Sequence, residues 1–132
     1  MSDPRNRAFD LAVIGGGPAG VTAALRAAEL GARVALVERD RPGGTCTDDG
    51  CAPTRVLAKA ARLMRDVEQL EDYGLSGSRP TLDLRALLAA TQRTVYELHE
   101  KKQLAGHLGR AGVTLIDGVG AAAFTDPHTV GL

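Results

Sequence analysis

A short apolar run, Leu11-Ala12-Val13-Ile14, leads straight into Gly15-Gly16-Gly17-Pro18-Ala19-Gly20, and an alanine-rich segment follows. This order constrains the fold more than any other feature of the chain. The apolar run reads as a buried parallel strand. Pro18 suits a first helical turn, where its missing N–H costs nothing. Ala23, Ala24, Leu25, Ala27, Ala28 and Leu30 continue the helix, and Gly31 is a natural stop. Arg33-Val34-Ala35-Leu36-Val37-Glu38 is a second strand, so the first forty residues predict one right-handed βαβ unit.

Within that unit the three glycines of G-x-G-x-x-G have separate tasks. Gly15 permits a tight turn, Gly17 lets the backbone approach a pyrophosphate, and Gly20 lets helix and strand pack closely. The helix start, at Pro18 and Ala19, offers unpaired N–H groups and partial positive charge to phosphates. Glu38 closes the second strand about twenty residues on, where a carboxylate can accept hydrogen bonds from both ribose hydroxyls. An acid there favours a ribose without a 2′-phosphate. A flexible glycine loop beside a surface acid is the alternative, and the flanking strand and helix argue against it.

The rest of the chain is organised around helices. Pro53 can open one whose apolar positions are Val56, Ala60, Leu63, Val67 and Leu70, giving an expected helix over Pro53–Asp72. Residues 73–80 read as a connecting loop. A long helix is expected over Asp83–Leu108, with Leu84, Leu87, Leu88, Thr91, Val95, Leu98 and Leu104 on one stripe. Val113-Thr114-Leu115-Ile116 is a third parallel strand, and Asp126-Pro127-His128 a turn. At 132 residues the chain can build one core but not two. Sixteen basic against sixteen acidic side chains give no hint of a nucleic-acid or anionic-membrane partner. No apolar stretch approaches the roughly 20 residues needed to span a bilayer. The polar start, residues 1–7, lacks a signal-peptide core, so a cytoplasmic location is the expectation.

Only two cysteines occur, Cys46 and Cys51, inside Gly43-Gly44-Thr45-Cys46-Thr47-Asp48-Asp49-Gly50-Cys51-Ala52-Pro53. In a reducing compartment such a pair points to catalysis, sensing or metal binding more than to a structural staple. In one undistorted helix their Cα atoms would stand roughly 8–9 Å apart, beyond the roughly 7 Å limit for a disulfide. A bridge therefore requires a distorted turn, which Gly50 could supply. Two thiols that never meet, or an unusual zinc set with Asp48 and Asp49, are the other readings of these residues.

The ordered series Gly15-x-Gly17-x-x-Gly20, Glu38, Gly43-Gly44-Thr45-Cys46-x4-Cys51-x-Pro53-Thr54 resembles the class I pyridine nucleotide-disulfide oxidoreductases. That family includes glutathione reductase, dihydrolipoyl dehydrogenase and mercuric reductase. Asp117-Gly118-Val119-Gly120 and Phe124 resemble the family's adenine-side stretch, so the likeness covers nearly all of the chain. The cysteine motif is its most specific part.

The resemblance implies an α/β fold: a Rossmann-like FAD-binding βαβ unit with a parallel sheet and two long additional helices, an incomplete FAD domain. Residues 1–132 would be the N-terminal portion of that domain, with the NAD(P)-binding and dimerisation domains absent. FAD would lie on Gly15, Gly17, Pro18, Ala19, Gly20, Glu38, Arg39, Gly44, Thr45, Arg55 and Gly120, and no metal is implied. Cys51 would be the charge-transfer thiol against the flavin, and Cys46 the interchange thiol that meets substrate. Electrons would pass from NADPH or NADH through flavin to a Cys46–Cys51 disulfide, and on to a small-molecule disulfide, thiol or metal-ion substrate. Full-length members are homodimers.

Three departures from the family pattern accompany this likeness. Arg55 stands where lysine is common, and arginine lacks a compact, easily deprotonated ammonium. Asp48 and Asp49 put acids between the cysteines, which opposes thiolate chemistry if they face the sulfurs. His99, His107 and His128 fall outside the family's His-Glu motif and read as surface or capping histidines. Turnover with NAD(P)H is therefore not expected of these residues alone. The competing functional classes are a stand-alone FAD- or ADP-binding module without catalysis, and a dithiol redox or metal sensor.

Overall fold

Three short parallel strands set the frame of the protein, which is described by a computed structural model over residues 8–132. Residues 1–7, on which the signal-peptide expectation rests, lie outside the described residues. Strand β1 (Leu11–Ile14) leads through the glycine turn to helix α1 (Pro18–Glu29) and back to β2 (Val34–Val37). Helices α2 (Gly44–Asp48), α3 (Cys51–Glu68), α4 (Leu84–Lys102) and α5 (Leu104–Arg110) precede β3 (Thr114–Ile116). A hairpin of β4 (Ala123–Asp126) and β5 (Thr129–Gly131) follows.

The sheet order is β1-β2-β3, all parallel, with Leu11 opposite Val34 and Ala35 opposite Thr114. The expected α/β fold with its βαβ unit is therefore present. The chain divides into two compact units, one of Met1–Cys46 with Lys102–Leu132, the other of Thr47–Lys101.

The first unit carries the core. Val21 and Ala24 of α1, Val34 and Leu36 of β2, Leu108 of α5 and Val113 form one buried cluster. All four β2 residues are buried, because a central strand between two others has both faces to cover. Strand β1 differs from the expected buried strand. It lies at the sheet edge, with Leu11 and Ile14 exposed and Val13 half-buried against the core. Helix α1 ends as expected: Leu30 caps it and Gly31 takes a left-handed φ of 88°.

In the second unit, α3 starts at Cys51, two residues before the expected Pro53. It stops at Glu68, and a 3-10 turn over Leu70–Tyr73 replaces its last turn. Asp83 caps α4 as its position suggests, its carboxylate accepting the Ala86 N–H at 2.9 Å. The single long helix expected over Asp83–Leu108 is in fact two, α4 and α5. Gln103 separates them at φ 42°, ψ 47°, a left-handed conformation that no α-helix can pass through. The apolar stripes of this unit are thinly covered. Ala52 is the only buried residue of α3 and Thr91 the only one of α4, while Leu57, Leu63, Leu84 and Leu88 are exposed.

Candidate functional site

Parallel strands send their carboxyl ends to one edge of the sheet, and in open α/β folds ligands bind along that edge. Three segments converge there within the first unit. From β1 comes the glycine turn, its Gly15 N–H donating to the Val37 carbonyl at 2.8 Å. From β2 come Glu38 and Arg39, and from β3 comes residues 117–120. Gly118 and Gly120 donate to the carbonyls of Asp40 and Arg39 at 3.1 and 3.4 Å. Gly120 is thus brought beside Arg39.

Each of the three motif glycines has a distinct physical environment. Gly15 turns the chain at φ 97°, where an L side chain would be strained. A Cβ on Gly20 would stand 1.9 Å from the Gly15 carbonyl oxygen, so only glycine lets α1 come this close to the turn. Gly17 caps α1 with extended backbone (φ −72°, ψ −179°), and a Cβ there would meet nothing within 4 Å. The start of α1 has Pro18 in its first turn, no side-chain cap and no acidic residue. Its first N–H groups, those of Ala19 and Gly20, have no partner inside the helix. An open glycine backbone next to these donors fits the pyrophosphate of a dinucleotide.

Glu38 ties this edge together. Its Oε2 accepts the Gly16 N–H at 2.5 Å, and its Oε1 accepts the Asp40 N–H at 3.1 Å. The side chain is half-buried.

The cysteine motif joins the same edge through a contact that sequence reading missed. Gly43 donates to the Gly16 carbonyl at 2.8 Å. A Cβ on Gly44, which sits at φ 60°, would lie 2.8 Å from Gly17 Cα. Gly43 and Gly44 therefore lay the start of α2 directly on the glycine turn, two residues before Cys46. A Gly-Gly pair is a visible signal of close backbone approach, although nothing in the sequence says what it approaches. Thr45 is exposed and Cys46 half-buried.

Residues 47–101 hold the remaining part of the motif. The helical run breaks between α2 and α3 at Gly50 (φ −108°, ψ −101°), so the cysteines do not share one helix. Cys51 opens α3 and is exposed, as is Arg55 one turn later. Of the two acids, Asp49 is exposed, whereas Asp48 Oδ1 lies 2.6 Å from His99 Nε2 on α4. His99 is therefore not a surface histidine: its side chain is 12% exposed, against 29% for Asp48. A separation of 51 residues leaves no local pattern by which sequence could have found this pair. His107 and His128 are exposed, as expected. Among the described residues no group of three His, Cys, Asp or Glu side chains could hold a metal ion. No described helix is long and apolar enough to cross a membrane.

Comparison with known proteins agrees with this geometry. A family profile described as Pyridine nucleotide-disulphide oxidoreductase matches residues 9–131. The chain is 40% identical over 112 residues to a dihydrolipoyl dehydrogenase of Zymomonas mobilis, covering 85% of this chain and 24% of that protein. It is 40% identical over 120 residues to a mercuric reductase of Shigella flexneri, covering 90% of this chain and 21% of that protein. A soluble pyridine nucleotide transhydrogenase of Mycobacterium bovis is 39% identical over 126 residues, covering 94% and 26%. The chain thus spans about a quarter or less of the length of these relatives. With a match running from the first strand to the last, the chain belongs to the pyridine nucleotide-disulphide oxidoreductase family.

Proposed function

We propose that residues 1–132 form the N-terminal portion of an FAD-binding domain and carry the redox-active dithiol of a flavin-dependent disulfide oxidoreductase. One observation supports this most directly: the cysteine-bearing segment is packed, through Gly44 on Gly17, against a glycine turn with an open face. The segment leading into Cys46 is thereby held against the glycine turn by backbone contact.

In this reading the first-turn N–H groups of α1 hold the pyrophosphate, with Gly15, Gly17 and Gly20 giving it access. Glu38 and Arg39 meet the adenosine ribose, and Gly120 bounds the adenine side. Gly44, Thr45 and Arg55 lie toward the flavin end. When bound, FAD supplies two-electron transfer between a nicotinamide donor and the cysteines. Opening the Cys46–Cys51 disulfide takes up two electrons and two protons. Its re-formation delivers two electrons and two protons to a small-molecule disulfide, or two electrons to a metal ion with the two protons released to solvent. Cys51 is the thiol assigned to the flavin side, and Cys46 the one assigned to substrate.

The donor, NADH or NADPH, and a homodimeric assembly belong to the same proposal. A cytoplasmic setting suits a working dithiol.

A second reading draws on the division of the chain. Gly15–Gly20, Glu38, Arg39, Gly44, Thr45 and Gly120 all lie in the first unit, so nucleotide binding without catalysis would need no residue of the second. Visible spectroscopy separates the two readings. The purified chain is incubated with FAD, and its spectrum is recorded before and after two-electron reduction with dithionite. A bound flavin that develops a long-wavelength charge-transfer band lost in Cys51→Ser supports the redox reading. Bound flavin with no such band supports the binding module, and failure to retain FAD overturns both.

A further inference from the structure

The G-x-G-x-x-G pattern gives tasks to Gly15, Gly17 and Gly20 and leaves position 16 unspecified. The structure does not leave it open. Gly16 has no left-handed φ, so its own backbone would accept a side chain. Its surroundings would not. Gly16 is buried, and a Cβ there would stand 2.9 Å from Glu38 Oε2, 3.3 Å from Glu38 Cγ and 3.2 Å from Pro42 Cα.

Backbone hydrogen bonds hold Gly16 on both sides. The preceding Gly15 N–H donates to the Val37 carbonyl, and the Gly16 carbonyl accepts the N–H of buried Gly43, both at 2.8 Å. Pro42, also buried, directly precedes Gly43. The turn and the Pro42 backbone are thus tied together. Of the three nearest atoms that a methyl group would meet, the two of Glu38 belong to a flexible side chain and the third is backbone. The Glu38 carboxylate is the group that must yield. It is held at both oxygens, Oε2 by the Gly16 N–H at 2.5 Å and Oε1 by the Asp40 N–H at 3.1 Å. An ionised carboxylate has about four acceptor sites, so roughly half remain for a ligand.

We infer that Gly16 is a positioning residue for ribose recognition: its N–H and its missing side chain seat the Glu38 carboxylate, fixing the direction of the acceptor sites left for a nucleotide's ribose hydroxyls. A methyl group at position 16 displaces the carboxylate and costs the ligand those hydrogen bonds, while the donors at the start of α1 stay in place. This inference rests on the proposed reading of Glu38 as the ribose acceptor.

The test is calorimetric titration of the full chain with ADP and with 2′-deoxy-ADP. The parent should prefer ADP by about tenfold, the usual effect of a hydrogen bond to a charged group. Gly16→Ala should shrink that preference to about twofold or less, chiefly by weakening ADP. Adding Gly16→Ala to Glu38→Ala should change neither the ADP affinity nor the thermal midpoint further, because the displaced group is already gone. Equal weakening of both nucleotides by Gly16→Ala, or an unchanged preference, would overturn the inference. Should Gly16→Ala alone fail to fold, the pair decides. A pair that folds as Glu38→Ala does upholds Glu38 as the group displaced, and a pair that fails overturns the inference, since Pro42 is then the obstacle. A parent chain without a preference for ADP overturns the ribose reading of Glu38 and this inference with it; a parent that has the preference leaves Gly16 alone on trial.

Discussion

The Glu38 carboxylate accepts a hydrogen bond from the buried Gly16 N–H at 2.5 Å, fastening the end of β2 onto the turn that follows β1. The sequence suggests Glu38 as a ribose acceptor, and the structure adds a second duty. It satisfies a buried backbone donor in the glycine turn, so the geometry of that turn depends on a residue 22 positions away. Glu38→Ala should lower unfolding stability by about 1–3 kcal/mol, the usual cost of leaving a buried donor unpaired. Glu38→Gln retains an acceptor and should cost less. Urea unfolding of the two variants checks the order, and equal losses would remove the hydrogen bond as the cause.

Gly20 and Gly17 separate fold from ligand. A methyl at position 20 would strike the Gly15 carbonyl oxygen, so Gly20→Ala should destabilise by roughly 2–4 kcal/mol, as overpacking of a backbone contact does. A methyl at position 17 meets open space at an ordinary φ of −72°. Gly17→Ala should therefore fold within about 0.5 kcal/mol of the parent while binding FAD about tenfold more weakly or worse. Thermal unfolding paired with flavin fluorescence titration reads both quantities.

Gln103 holds a left-handed conformation between α4 and α5, at φ 42°. A residue with a Cβ pays roughly 1–2 kcal/mol there relative to glycine. Gln103→Gly should raise the thermal midpoint, and β-branched Gln103→Val should lower it. If Gln103→Gly proves destabilising, the left-handed break is not what separates the two helices.

Asp10 and Arg33 are joined by two side-chain hydrogen bonds and by the Arg33 backbone N–H, at 2.8–3.1 Å. The guanidinium first, and then that backbone N–H, hold the Asp10 carboxyl at about 2, below the ordinary value of about 4. A lowered carboxyl stabilises the fold above the unfolded value and loses that contribution as pH falls through the folded one. The contribution should be complete above about pH 4 and fade towards pH 2. Asp10→Asn should flatten this limb of the stability curve. Added salt should weaken the effect, because both side chains are largely exposed. Melting curves from pH 6 to pH 2 at two salt concentrations measure it.

The βαβ unit was legible in the sequence because each part is local. An apolar run, three spaced glycines, Pro18 and Gly31 act through their own backbone angles and nearest neighbours, and the structure places β1, α1 and β2 where those signals lie. The third strand was legible for the same reason. The break at Gln103 was not, since glutamine carries no signal for left-handed backbone and the apolar stripe runs on to Leu104. The edge position of β1 was also hidden, because Leu11 and Ile14 look the same in a central strand as at an edge.

Residue type and short-range spacing determined that a glycine turn between strand and helix, an acid and a cysteine pair occur in this order. They did so because glycine, proline and cysteine chemistry is intrinsic to the residue. Tertiary structure alone decided that Gly44 rests on Gly17, that Glu38 closes onto Gly16 and that His99 holds Asp48. Those contacts join residues 22 to 51 positions apart. Their partners are selected by how strands and helices pack, which no local pattern of side chains records.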